Sequence, residues 1–518
     1  MLPYIWQVFR LVSCLVIWVG AGAAGAETVT LKSADGTVTL DGTLLDYDGE
    51  VYRIDTRFGE MTLNALGVTC AGQACPDAGQ YAADISFAAA DNLADGLLPS
   101  LIEHYAFRSG LEAFREDQGK NWTYFLADSA RIPVARIQNR SGNSRSVFAA
   151  LGKGDADLVL TNRPPLASEV TAASLSVDAR HQIFLARDAL VFVVAPSNPV
   201  SALSVEDLRR IYSGEITNWS ELGGDDAAIT LYGQVRGTER AAAFDAAIGT
   251  ETGDREGDSP SAKIARMADR AIADAVAEDP FGIGFTGLGF VRNAKPLAIA
   301  SECGIRQYPD AFGVKTGDYL LTNPIYLYRP ATRLPLVARN FLGWLPSETA
   351  QFAIDATGFV SQAFVATPLS HQQYRVSNAI VEADEDVTLE ELKRFTTLFA
   401  NASRLSATFR FRDGSTEMDA RSRRDLNRLA LSLEQGDFTG RTLIVAGFSD
   451  SQGSGDGNRT IALQRAQKFA KMLRKAATRA DFSKLDFRVV ALGEVAPIAC
   501  NDTAQGRSLN RRVEIWVE

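Results

Sequence analysis

Seven consecutive apolar residues, Ala189 to Ala195 (ALVFVVA), place the tightest limit on how this chain can fold. A run of that kind, with no polar alternation, reads as a strand covered on both faces. The residues after it agree. In SVEDLRRIYSGEITNWSELGG, Ser204 to Gly224, Ser204 and Asp207 are spaced as a capping pair. Leu208, Ile211 and Tyr212 fall on one helical face, and Gly214 ends the run. A second strand-like run, Ile229 to Tyr232, leads through the turn GQVRGTER into another helix. Apolar strand runs alternate with helical patterns from about Ile85 to Pro368, which predicts α/β layers.

At 518 residues the chain is too long for one ordinary core, so several domains are expected. A net charge of −10 argues against nucleic acid as a partner, because a phosphate backbone needs a basic surface. It leaves small anions open, since a few local cations and helix dipoles suffice for those. Arg10, the apolar stretch Leu11 to Val19 and the small residues ending before Glu27 read as an export signal over residues 1–26. Cys14 sits at the start of the apolar stretch and not its end, which argues against lipidation. Removal of the signal leaves four cysteines. Cys70 and Cys75 are close enough in sequence for a small disulfide loop, while Cys303 and Cys500 have no local partner. Three scattered histidines, His104, His181 and His371, supply neither a metal site nor a nucleophile–base pair, so no cofactor and no enzyme activity are expected.

Residues 27–80 combine alternating apolar positions with Asp35-Gly36, Asp41-Gly42 and Asp48-Gly49, and predict a small β module turning at those pairs. The segment 81–368 carries YSGEITNWSELGG, a Gly-Thr turn at Gly237-Thr238, EDPFGIGFTGLGFV (Glu278 to Val291), TGDYLLTNPIYLYRPA (Thr316 to Ala331) and AQFAIDATGFV (Ala350 to Val360). In that order these motifs resemble the periplasmic phosphate-binding proteins of ABC importers. The resemblance implies a two-lobed periplasmic binding protein fold of type II, with an anion held between the lobes by strand ends and helix N-termini. It also implies a permease as a partner.

Three loops correspond to the ligand-contacting turns of that family: Asp91 and Asn92; Ser144 and Ser146, followed by Thr161, Asn162 and Arg163; and Arg236, Gly237 and Thr238. The departures matter. Asn162 stands where the family often has an acidic residue, and Tyr232 where it keeps an arginine, so Arg236 or Arg240 is left to supply the charge. A carboxylate in that place accepts a bond from monoprotonated phosphate and repels a fully deprotonated anion. Without it, phosphate is the favoured ligand but the filter is missing.

Residues 369–405 read as an acidic linker in which Thr388 and Glu391 cap a helix whose apolar face docks on a neighbour. From 406 to 518 an α+β pattern carries GFSDSQGSGDGNRTIALQRAQKF and NDTAQGRSLNRRVEIWV, which are similar to the OmpA-like peptidoglycan-binding domain. Diaminopimelate offers an ammonium and a carboxylate. Asp450 suits the first, and the planar fork of Arg465 suits the second. The resemblance adds Asn458, with Arg511 and Arg512 as further candidates. Phe448, Ser449 and Ala462 depart from the family's pattern.

The expectation is therefore a periplasmic solute-binding protein for a small oxyanion, anchored non-covalently to the cell wall. The alternative is an envelope-organising protein whose body has stopped binding phosphate.

Overall fold

The computed structural model describes residues 28–77, 81–172, 181–249, 264–330, 332–383 and 387–518. The expected export signal lies outside the described residues.

The N-terminal unit is a five-stranded antiparallel sheet ordered Gly59–Asn64, Val51–Thr56, Thr39–Tyr47, Thr28–Ser33, Val68–Ala71. Alternation puts Val29, Leu31, Tyr52 and Ile54 on its buried face. Two of the three Asp-Gly pairs are turns, with Gly36 and Gly49 at positive φ. Asp41-Gly42 instead lies inside the strand Thr39–Tyr47, where a Cβ on Gly42 would sit 2.5 Å from the Asp55 carbonyl oxygen. There the glycine serves close approach between strands, not chain reversal. Cys70 and Cys75 are disulfide-bonded.

The strand Gln182–Val194 organises the rest of the chain. Its first part, Gln182 to Ala189, pairs antiparallel with Thr322–Tyr328, and its second, Leu190 to Val194, pairs with Gly282–Gly287. The buried run expected from ALVFVVA is thus the stretch passing from one lobe into the other. On the first side the sheet continues through Leu158–Thr161, Ala83–Ala90, Pro133–Gly142, Asn121–Ala127 and Glu112–Gln118. On the second it continues through Thr230–Gln234 and Ala265–Met267. The helix Val205–Ser213 caps the second lobe as expected: Ser204 and Asp207 bond reciprocally, Gly214 closes it at φ 80°, and Leu208, Ile211 and Tyr212 are buried.

At the C-terminal end a mixed sheet runs Ala366–Pro368, Ser403–Arg410, Arg512–Val517, Thr442–Phe448, Asp486–Gly493. Helices Ala420–Gln435 and Gly455–Ala476 cover one face, through Leu429, Leu433, Phe469 and Leu473. The expected linker covers the other. Its helices Gln373–Val381 and Leu389–Phe399 join one core with Ile444, Phe448 and Trp516, and the Phe399 ring stacks on Trp516 at 4.0 Å between centroids. Both helices of the 369–405 stretch therefore pack on this sheet. The reason is the apolar face of Leu392, Phe395 and Phe399, which a two-layer sheet can bury.

The body and this domain meet through buried charge. Asp318 of the body accepts from Arg404 at 2.6 Å and Arg410 at 3.1 Å; inside the domain, Glu514 accepts from Arg375 at 2.9 Å and Arg512 at 2.7 Å. Burial works to raise the Glu514 carboxyl, but Arg375, Arg404 and Arg512 together hold it well below the usual carboxylate range. Cys303 of the body is disulfide-bonded to Cys500, and Gln307 donates to the Ile498 carbonyl at 3.0 Å.

Candidate functional site

Two helices point their N-termini at one cleft in the body. Ser144–Lys153 belongs to the first lobe: Asn143 caps it by accepting from the Ser146 amide at 3.0 Å, and Val147 and Phe148 pack with Val159 and Tyr328. Glu239–Ile248 belongs to the second. Thr238 caps it, and Phe244 and Ile248 pack in that lobe's core. Gly237 takes φ 77°, a left-handed conformation that brings the chain round into the cap.

A cavity of about 940 Å³ lies between them, lined among others by Ser144, Asn162, Arg163, Arg236, Gly237 and Thr238. Six of the ten residues expected around the anion therefore share one cleft. Asp91, Asn92, Ser146 and Thr161 do not line it. Asp91 accepts from the amides of Asn92 and Glu239, and burial, its first cause, raises its carboxyl. Asn92 Oδ1 is buried without a hydrogen-bond partner. The Ser146 hydroxyl donates to the Asn143 carbonyl, and the fully buried Thr161 hydroxyl donates to the Arg163 carbonyl. These two hydroxyls serve their own loops.

The charges are arranged otherwise than the sequence suggests. Arg163 is gripped by Glu169 through two bonds of 2.7 Å, so much of its charge is already matched. Arg240 is buried between Asp188 at 2.8 Å and Asp269 at 2.9 Å. A Cβ on Gly287 would lie 2.4 Å from the Arg240 guanidinium, which explains the glycine there. Arg240 is thus structural. Arg236 remains on the cleft wall, joined by Arg145 and Arg266, neither of which the sequence singled out. An acidic group is present after all: the buried Glu239 carboxylate accepts from the Ser144 amide at 2.8 Å and from the Ser144 hydroxyl at 2.7 Å. It crosses from one lobe to the other and takes the helix N-terminal donors an anion would use. Asn162 lines the same cavity, and its buried Oδ1 has no hydrogen-bond partner among the described residues. From sequence alone, Glu239 reads as an ordinary first-turn acid of its own helix.

In the C-terminal domain, Asp450 and Arg465 face the same place. Arg511 donates to Asp450 at 2.6 Å and lies 3.3 Å from Asp413. Arg465 feels the charges of Asp450, Arg511 and Asp413, while burial, the largest effect, pushes its guanidinium down. Arg465 Nε donates to the Ser415 carbonyl at 3.1 Å, and the residue is 2% exposed. Ser449 Oγ, next to Asp450, is buried and unpartnered. Asn458 is occupied, donating to Glu494 at 2.7 Å. Arg512 is a correction to the expected set. It is fully buried, its guanidinium stacks over the Phe448 ring at 4.0 Å, and its partner is Glu514. The adjacent Arg511 points to Asp450 because neighbouring residues at a strand start face opposite ways.

Residues 121–349 match the model of the PBP superfamily domain, and residues 410–511 match that of the OmpA family. The phosphate-binding protein PstS of Bacillus subtilis is 28% identical over 231 residues, covering 43% of this chain and 69% of that protein. The probable lipoprotein YiaD of Escherichia coli is 42% identical over 71 residues, 14% of this chain and 31% of that protein. Among solved structures, an ABC-type phosphate transport receptor from Vibrio cholerae aligns over 54% of this chain and 99% of its own, at 22% identity and a TM-score of 0.42. The chain joins a PBP-like domain to an OmpA-like domain.

Proposed function

We propose that this chain is an envelope receptor whose body captures a small oxyanion, phosphate foremost, and whose last domain holds it on peptidoglycan through diaminopimelate. The observation that carries the reading is the grip of Ser144 on a carboxylate. Its amide and hydroxyl already hold an anionic group, and Arg236 and Arg266 line the same cleft. Such a cluster suits a tetrahedral oxyanion better than a neutral solute. Export to the periplasm and a permease partner follow from the same reading.

The wall half rests on the shared position of Asp450, Arg465 and Arg511, where a group bearing both charges replaces internal pairings with its own. The second reading, a body that only organises the envelope, is favoured by that same Glu239 carboxylate, which leaves the Ser144 donors filled. Titration calorimetry with phosphate and sulfate separates the two: heat with a defined stoichiometry supports the receptor, and none for either anion supports the structural role. Purified peptidoglycan should pellet the wild type and not Asp450→Ala with Arg465→Ala. A double variant that still pellets removes the wall site from these residues.

A further inference from the structure

A second cationic cavity, about 240 Å³, lies where the OmpA-like domain packs against the strand that crosses between the lobes. Its wall includes Phe184, Arg187, Tyr326, Arg421, Arg424 and Gln505. The backbone of Arg187 is fixed, bonding Val360 in both directions at 2.9 and 2.8 Å. Its side chain is buried, at 4% exposure. Among the described residues its guanidinium has no hydrogen-bond acceptor and no ion pair, only the face of Phe184 at 4.7 Å.

The neighbours make this worse. The charges that reach Arg187 include Arg421, Arg428, Arg410 and Lys315, opposed by Asp425. Asp425 is already shared by Arg421 at 3.8 Å and Arg428 at 3.6 Å. Arg421 Nη2 is used on the carbonyls of Lys315 and Thr316, and its buried Nε, 3.8 Å from Asp425, has no hydrogen-bond partner among the described residues. Arg424, exposed at the rim, has the Phe184 ring at 5.8 Å and no acceptor among the described residues. A buried guanidinium is tolerated when paired, and here the pairing group is missing. The cavity exceeds the ~30 Å³ share of one water several-fold, which is room for a tetrahedral anion with solvent.

The geometry points to a second anion site in this junction, distinct from the cleft between the lobes, that takes a small tetrahedral oxyanion between Arg187, Arg421 and Arg424. Its five-donor guanidinium groups suit such an anion through forked bonds. The bound anion stitches the body to the OmpA-like domain, because Arg187 comes from one and Arg421 and Arg424 from the other.

The test uses crystals of the full mature chain soaked in selenate, together with melting in sodium sulfate against sodium chloride at equal ionic strength. An anomalous peak beside Arg187 is expected, and a higher melting temperature in sulfate. Arg424→Gln should weaken selenate about tenfold, the loss of one charge-assisted bond. Arg187→Met should abolish the junction peak while melting no lower than wild type in chloride, since it deletes a charge that has no partner. If Arg187→Met fails to fold, Arg424→Gln carries the test, being exposed. A peak confined to the interlobe cleft, or a junction peak and sulfate increment unchanged in Arg424→Gln, overturns the site. Neither result touches the cleft reading, which is scored at its own position.

Discussion

Glu239→Ala should make the body bind phosphate more tightly. The carboxylate now accepts two bonds from Ser144, at 2.8 and 2.7 Å, and an incoming oxyanion must displace it from those donors. Charge-assisted bonds contribute roughly 1.5–3 kcal/mol each. The incoming anion recovers both donors but must leave a buried carboxylate without partners, so the penalty is on the order of one such bond. Removing it is worth ~1.5–3 kcal/mol, or roughly a ten- to hundredfold gain in affinity. The same substitution leaves the Ser144 amide and hydroxyl unpaired, at a cost of about 1–3 kcal/mol in anion-free buffer. The variant should therefore melt below wild type without phosphate and recover with it. Glu239→Gln, which keeps the size and one acceptor but no charge, should fall between. Titration calorimetry and phosphate-dependent melting read both effects. Affinity unchanged or reduced in Glu239→Ala would refute the reasoning, because the carboxylate would then be a helper and not an occupant.

Glu514→Gln should destabilise the chain by about 3–5 kcal/mol in denaturant melts, since Arg375, Arg404 and Arg512 lose their shared counter-charge inside the protein. Because the Glu514 and Asp318 carboxyls are held low in the folded state, their contribution is complete above the unfolded pKa of about 4 and is lost as pH falls below it. The Glu514→Gln variant should show a flatter loss of stability on that acid limb. Lys315 is buried, donates to Ser361 and Ala363, and is pushed down to about 8 from 10.5, chiefly by burial. The unfolded chain thus binds more protons between those values, and stability should rise by up to ~3 kcal/mol as pH climbs through them; Lys315→Met should remove that slope. The Cys303–Cys500 bond closes a separation of 197 residues, so replacing both by serine should cost as much as ~5 kcal/mol on the loop-entropy model while melting stays a single transition.

What the sequence discloses divides along a physical line. Local patterns transfer well: the Ser204–Asp207 cap, the Gly214 stop, the two-face burial of Ala189 to Ala195 and the Thr388–Glu391 cap all appear where spacing puts them. Side-chain partners distant in sequence do not. Glu239 meets Ser144 across 95 positions, and Arg240 meets Asp188 across 52, so neither pairing has a local signature. Gly42 looked like a turn because an Asp-Gly pair is a turn signal, yet the neighbouring strand's carbonyl needed the missing Cβ. Arg511 and Arg512 are indistinguishable as letters. Only the strand they enter separates a groove residue from a core residue.

The junction between the two modules changes how they act together. A flexible linker would hold a receptor near the wall through effective concentration alone, and its sites would be independent. Here the helices Gln373–Val381 and Leu389–Phe399 pack into the OmpA-like domain, and Asp318 in the body is clasped by Arg404 and Arg410 from that domain's first long strand. Separating the two would expose carboxylates and guanidiniums that satisfy each other only while packed, and would leave the Cys303–Cys500 link in place. The short helix Ala504–Asn510 makes the connection concrete. Gln505 near its start lines both the interlobe cleft and the junction cavity, and Arg511 just past its end pairs with Asp450. On the proposed reading, an occupant that takes Asp450 away from Arg511 acts on a helix whose other end borders the interlobe cleft. On that same reading, the wall site and the interlobe cleft border the same short helix, so each would be built with the other's position already fixed.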